Sequence, residues 1–400
     1  MKRCLPLLLV CLLATPGWCA RKVTVAQLQD LLRSLNQDKK QDIETAAALQ
    51  QVELSEELTR DVMNHLMKDA HGPLTTEQLF VLEARSADLA PPVSDLPETP
   101  PPDESSQKAL LAKAETYVTG RYSQLPVLTA RKTTLRFQDN MAALASSSGI
   151  ASGAKDAATN SGLSNVPQFI HYINAVAEPV VLDRGVEKGS TTKDRTRWGA
   201  NGQIRISEPE LNLSRVFSEV ETAGTLRWTR WELIDGKPAA VFSFEVPRQQ
   251  SRQEVKVCCF PQIRQAGIAR FYTSTTGPIL GAEGGSGGGG VAGNLQTNTD
   301  WNEFKSTVPY SGKLFIDPET GAVLRLIVED ELKPSDVVHQ LETRIDYAPV
   351  KAAQGTFIVP IRSFVNSVVV PNGESGAGGY STRTTLFHSE YSEYHVAHLK

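Results

Sequence analysis

From residue 24 to about residue 90 the apolar positions recur at helical spacing. Thr24 and Gln27 form a capping box, and Leu28, Leu31, Leu32 and Leu35 follow at i, i+3, i+4 and i+7, a single stripe on one helix. Asp42 to Val52 continues in the same style. Ser55 is placed to cap a third helix carrying Leu58, Val62, Leu66 and Met67, which Gly72-Pro73 stops. Thr75 with Gln78 starts a fourth, bearing Leu79, Phe80 and Leu82. None of these segments has apolar surface enough to stand alone in water, so residues 21–90 are predicted to form a small helical bundle. The alternative for the same helices is a dimerisation element or a docking element for a protein partner.

Residues 91–102 hold six prolines, which predicts an extended, semi-rigid connector and a domain boundary. Beyond it the period changes. Asp103 to Tyr122 is helical, with Leu110, Leu111, Ala114, Tyr117 and Val118 on one side, and Val127 to Phe137 reads as a strand. From Ala175 onward β-branched and aromatic residues dominate, in strands predicted over 176–182, 202–206, 225–234, 237–246, 312–316, 322–328, 337–347, 356–370 and 381–396. Asp235-Gly236 is a two-residue hairpin turn, and Asp317 to Gly321 a tight turn with glycine at its left-handed position. One helix interrupts the strands. Ser207 with Glu210 forms its capping box, Leu213, Val216, Phe217 and Val220 its stripe, and Gly224 its end, and it is expected to lie on the sheet's apolar face. Two low-complexity stretches, 140–165 and 281–293, read as flexible insertions. The predicted fold class is therefore α+β: a helical bundle, a linker, and a β-rich unit over 103–400 whose large antiparallel sheet, an incomplete barrel, packs on one or two helices.

The first twenty residues stand outside this pattern. Lys2 and Arg3 precede an apolar run, Leu5 to Ala14, broken only by Pro6 and too short to span a bilayer, which predicts a secretory signal peptide. Cleavage after Cys19, with Gly17 three positions back, fits better than cleavage after Ala20, which would put Trp18 there. No later stretch approaches the roughly 18 apolar residues of a transmembrane helix. The expected product is soluble and secreted or periplasmic, with no transmembrane anchor.

Export changes the meaning of the cysteines. Of five, Cys4, Cys11 and Cys19 fall in the signal region, leaving the neighbours Cys258 and Cys259, too few for a disulfide framework and expected on opposite faces of a strand, with a strained bridge between them or an intermolecular bond as the alternatives. Without Lys2 and Arg3 the chain has 39 basic against 45 acidic residues, signs mixed along its length, which argues against a nucleic-acid partner.

The stretch Tyr310 to Leu326 (YSGKLFIDPETGAVLRL), with Ile345 to Val350 and Phe357 to Pro360 behind it, carries a resemblance of pattern to the LolA/RseB-type lipoprotein-carrier fold, and the chain as a whole resembles secreted bacterial proteins. In that fold an incomplete barrel wraps a helix beside an apolar cavity. The resemblance implies a cavity for a lipid or other apolar ligand over residues 103–400.

Catalytic chemistry leaves little trace. His388, His395 and His398 cluster near the C-terminus, but in a strand His395 and His398 point to opposite sides, and no acidic or cysteine partners complete a metal sphere. Gly284 to Gly288 matches the G-x-S-x-G string inside a glycine run, without the strand and helix that make it a nucleophile elbow. Walker A and H-E-x-x-H patterns do not occur, and no catalytic residue, metal ligand or cofactor is assigned. The candidate ligand-binding residues are aromatic and apolar: Phe242, Phe244 and Val246 share one strand face, while Trp228 and Trp231, three apart, are expected on opposite faces. Three functions remain in order of expectation. They are an exported non-enzymatic protein holding an apolar ligand, an interaction or envelope-stress module with a filled core, and a hydrolase of unfamiliar design.

Overall fold

The computed structural model describes residues 21–139, 170–188, 205–206, 212–261, 301–352, 355–369 and 383–397. The signal segment, both low-complexity insertions, the Ser207–Glu210 capping box, the G-x-S-x-G string and His398 lie outside the described residues. So do the side chains of Cys258 and Cys259.

The N-terminal unit contains four helices and a small parallel ladder. Strand β1 (Arg21–Val23) pairs with β2 (Val52–Leu54), and helices α1 (Val25–Gln37), α2 (Asp42–Gln50), α3 (Arg60–Asp69) and α4 (Pro73–Arg85) surround a core that includes Leu28, Leu32, Leu49, Leu66, Leu79 and Leu82. The capping box at Thr24 and Gln27 is present. Other boundaries differ from the sequence expectation. Helix α3 starts at Arg60 after Thr59, and the Ser55 hydroxyl donates instead to the Val23 carbonyl at 3.2 Å. Gly72-Pro73 begins the fourth helix rather than merely ending the third, because proline in the first turn forfeits only an N–H that has no helical partner anyway. The remaining first-turn donors find Asp42 on α2: Leu74 N–H reaches Oδ2 at 3.0 Å and Thr75 N–H reaches Oδ1 at 2.9 Å. The cap of α4 is thus borrowed from another helix.

The connector contains a single 3₁₀ turn, Val93–Asp95. Helix α5 (Glu104–Thr116), capped by Asp103, runs into a π-helical turn, Tyr117–Tyr122. Ten strands then form one antiparallel sheet that is not closed into a barrel: β3 (Leu128–Gln138), β4 (His171–Asp183), β5 (Val186–Lys188), β7 (Arg227–Ile234), β8 (Lys237–Val246), β11 (Tyr310–Ile316), β12 (Val323–Asp330), β13 (Val338–Ala352), β14 (Gly355–Val369) and β15 (Arg383–Val396). Their order is β5-β4-β3-β15-β14-β13-β12-β11-β8-β7. Strands β6 (Arg205–Ile206), β9 (Glu254–Pro261) and β10 (Trp301–Thr307) make a separate three-stranded sheet. The α+β class holds. Asp235 (φ 49°) and Gly236 (φ 74°) close β7 onto β8 with two left-handed residues, as a primed turn requires.

Each face of the large sheet carries different chemistry. On one face lie α5, the π turn and α6 (Leu213–Ala223), whose Leu213, Val216, Phe217 and Val220 share a core with Phe242, Leu314 and Leu326. Asn212 caps α6, its side-chain oxygen accepting from Arg215 N–H at 3.2 Å, and Gly224 ends the helix at φ 66°. The N-terminal unit lies on the other face, where Val81, Ala84 and Ala87 pack with Phe137, Phe364 and Leu386.

Candidate functional site

The residues expected to line a ligand cavity lie on the α5–α6 face, and that face is filled where it is described. Phe242, Phe244 and Val246 are at most 2% exposed. The Phe244 ring meets Tyr310 edge-on at 6.0 Å and occupies the space where a side chain at residue 312 would stand: a Cβ on Gly312 would lie 2.7 Å from Phe244 Cζ and 2.0 Å from the Ile327 carbonyl oxygen. Tyr122, fully buried, meets Tyr347 edge-on at 6.1 Å. Such edge-to-face contacts at van der Waals packing are those of a core.

Trp228 and Trp231 correct the strand alternation. They do not point to opposite faces. The register slips between Trp228 and Arg230, a β-bulge whose extra residue restores Trp231 to the side of Trp228. The two indoles meet edge-on at 5.0 Å, Trp228 touches Phe242 in the same way at 5.5 Å, and both tryptophans are half-buried. A separate open cleft of about 460 Å³ beside the first turn of α6 is lined by polar and charged residues, among them Asp183, Arg184, Lys188 and Arg215.

The densest chemistry lies on the opposite face, under the N-terminal unit. Strand register brings Arg325 of β12, Asp346 of β13 and Arg362 of β14 side by side, with Arg344 two residues before Asp346 on the same face. All three guanidiniums converge on Asp346: Arg325 Nε donates at 2.7 Å, Arg344 Nε at 3.0 Å and Arg362 Nη2 at 2.6 Å. The N-terminal unit supplies the counter-charges. Glu57 accepts from Arg344 Nη1 at 2.6 Å and from Arg325 Nη1 at 3.3 Å, and Glu83 accepts from Arg362 Nη1 at 3.2 Å. Glu232 on β7 receives Arg325 Nη1 at 3.3 Å and Arg230 Nη2 at 2.6 Å. Glu57 is 2% exposed and Arg344 6%, so this is a network removed from water.

Burial sets the electrostatics. It raises the Asp346 carboxyl, but the three arginines overcome that and hold it well below the ordinary range. Glu83 and Glu232 stay raised, because burial outweighs the arginines that face them, and Glu57 adds repulsion at Glu232. Each of the four carboxylates accepts from at least one guanidinium, a group that keeps its proton at any working pH. The arrangement can hold two surfaces in one registration.

His388 borders this network. Its ring stacks on Phe364 at 4.7 Å and lies 5.4 Å from Phe80 of the N-terminal unit, with neither ring nitrogen in a hydrogen bond. His395 is exposed farther along the same strand, so the two described histidines of the C-terminal group do not converge. Among the described residues no group of three or more His, Cys, Asp or Glu side chains is placed to hold a metal ion.

The arginine network was not legible as a site, because Arg325, Arg344, Asp346 and Arg362 occupy the polar positions of alternating strands, which ordinarily face solvent. Their one sequence signal is four charges at matching parity on three successive strands. No protein-family model matches this chain, and no curated protein or solved structure matches it either.

Proposed function

We propose that this chain is a non-enzymatic interaction module, exported from the cytoplasm, in which a filled β-sheet holds and presents the N-terminal helical unit. The observation that carries the reading is the packing of Phe242, Phe244 and Val246, three of the five residues nominated for a ligand, into a buried core, with the other two, Trp228 and Trp231, half-buried against its edge. An apolar carrier keeps a hollow beside its helix, whereas Phe244 here takes even the space over Gly312. The Glu57–Arg344 network supports the second half of the reading, since charges paired out of water fix orientation rather than bind a freely exchanging molecule.

The test is native mass spectrometry of the chain recovered from the exporting cell, followed by add-back of phospholipid and of free fatty acid. The expected mass is that of the polypeptide alone, before and after add-back. A stoichiometric acyl ligand retained through purification would instead restore the carrier reading.

A further inference from the structure

The connector between the two units is not free of the sheet. Trp231 Nε1–H donates to the Pro100 carbonyl at 3.0 Å, where the proline-rich stretch turns toward α5. Two further features surround this contact. The β-bulge at Trp228–Arg230 sets a second indole beside the first on the same face, at 5.0 Å, and both rings remain half-buried on β7, a strand at the edge of the sheet. The segment that meets them ends in Pro100-Pro101-Pro102, of which Pro100 and Pro101 are exposed.

This combination has a specific chemistry. Consecutive prolines lack N–H groups and favour the polyproline II conformation, which turns carbonyls outward to donors from elsewhere. Here the Pro102 carbonyl accepts from Gln107 Nε2 at 2.8 Å and the Pro100 carbonyl from Trp231. An indole is a donor-only group on a flat apolar body, and a pair of indoles offers a ridge and a directed N–H together, the means by which proline-rich segments are recognised in grooves lined by aromatic residues. A core tryptophan needs neither the exposure nor the bulge. We propose that the Trp228–Trp231 pair is a docking platform for proline-rich segments in polyproline II conformation, occupied in this chain by its own Pro100. The inference deepens the interaction-module reading by naming the chemistry of one partner, and it concerns the face opposite the arginine network.

A tethered segment competes at an effective concentration in the millimolar range. The platform therefore accepts a second proline-rich chain weakly while the connector is in place and more strongly once the connector has lost its prolines. The experiment uses the full chain with Pro97, Pro100, Pro101 and Pro102 replaced by glycine or serine, and a synthetic peptide with the sequence of residues 96–102 as probe. The readout is the indole N–H resonance of Trp231, assigned with Trp231→Phe. A saturable shift is expected in the replaced chain, with a dissociation constant about tenfold lower than in the intact chain, and no saturable binding in Trp231→Phe or with a peptide whose prolines are alanine. Absence of the shift in a natively folded replaced chain, or equal binding of the alanine peptide, overturns the proposal. Should the replaced chain not fold, titration of the intact chain decides: a Trp231 resonance that stays fixed at several millimolar peptide overturns it as well. A retained acyl ligand in the mass experiment would overturn the module reading without moving this resonance.

Discussion

The Glu57 carboxylate accepts a hydrogen bond from Arg344 at 2.6 Å, joining residues 287 positions apart across the seam between the N-terminal unit and the sheet. Removing one partner of such a pair leaves a charge in a place without water, and the cost exceeds that of any exposed pair. Glu57→Gln should therefore destabilise the chain by about 3 kcal/mol, with amide exchange rising in α3 and α4. Arg33→Ala, which breaks the exposed Asp30–Arg33 pair at 2.6 Å, should cost less than about 1 kcal/mol. Urea titrations that gave equal costs for the two substitutions would show that the network does not hold the units together.

Gly312 marks how tightly the α5–α6 face is packed. A methyl at this position meets a backbone carbonyl at 2.0 Å, which cannot withdraw without breaking the pairing of β11 with β12. Gly312→Ala is expected to cost at least about 3 kcal/mol, whereas Gly120→Ala, with nothing within 4 Å, should be neutral or stabilising by up to about 1 kcal/mol. Equal midpoints of thermal unfolding for the two variants would mean that the sheet face is looser than described.

What the sequence made legible follows from local physics. Strand Lys237–Val246 and its primed turn lie where alternation and Asp235-Gly236 put them, because both signals are carried within a few residues. The side shared by Trp228 and Trp231 was hidden, since a single inserted residue inverts every later position and no residue type announces it. Ser55 failed as a cap for a related reason: its hydroxyl is taken by Val23, 32 residues away, a partner that only the tertiary fold supplies. The arginine network belongs to this second class. Arg325 and Arg362 sit on the sheet face opposite the α5–α6 core, and only the docked N-terminal unit turns that face from wet to buried.

Asp330 predicts a stability that falls with rising pH. Burial lifts its carboxyl from 3.8 to about 7, against the help of Gln253 and Arg215, and Glu219 and Tyr310 share the same pocket of buried polar groups. A carboxyl raised in the folded state binds its proton more tightly there than in the unfolded chain. Its contribution is thus fully present below about pH 4 and is lost as pH rises through about 7. Asp330→Asn should remove this slope and raise stability at pH 8. Denaturant midpoints at pH 5 and pH 8 that change equally in both proteins would rule out Asp330 as the cause.

His388 acts in the opposite direction, and its position ties the effect to the seam. Burial, followed by the nearby charges of Arg362, Arg60 and Arg344 and only partly offset by Asp346, pushes the ring from 6.5 down to about 3. The unfolded chain accepts a proton there long before the folded one does. Stability is therefore complete above about pH 6.5 and declines as pH falls toward 3, by at most a few kcal/mol. His388→Phe keeps a ring against Phe364 and Phe80 while removing both the titration and two ring nitrogens that lack hydrogen bonds. The variant should lose the slope between pH 6.5 and pH 4 and be more stable than the parent at pH 5. Amide exchange at pH 5 should place the parent's weakening in α4 and β15, the two elements whose Phe80 and His388 rings meet. If the parent and His388→Phe trace parallel curves from pH 7 to pH 4, another group carries the acid sensitivity.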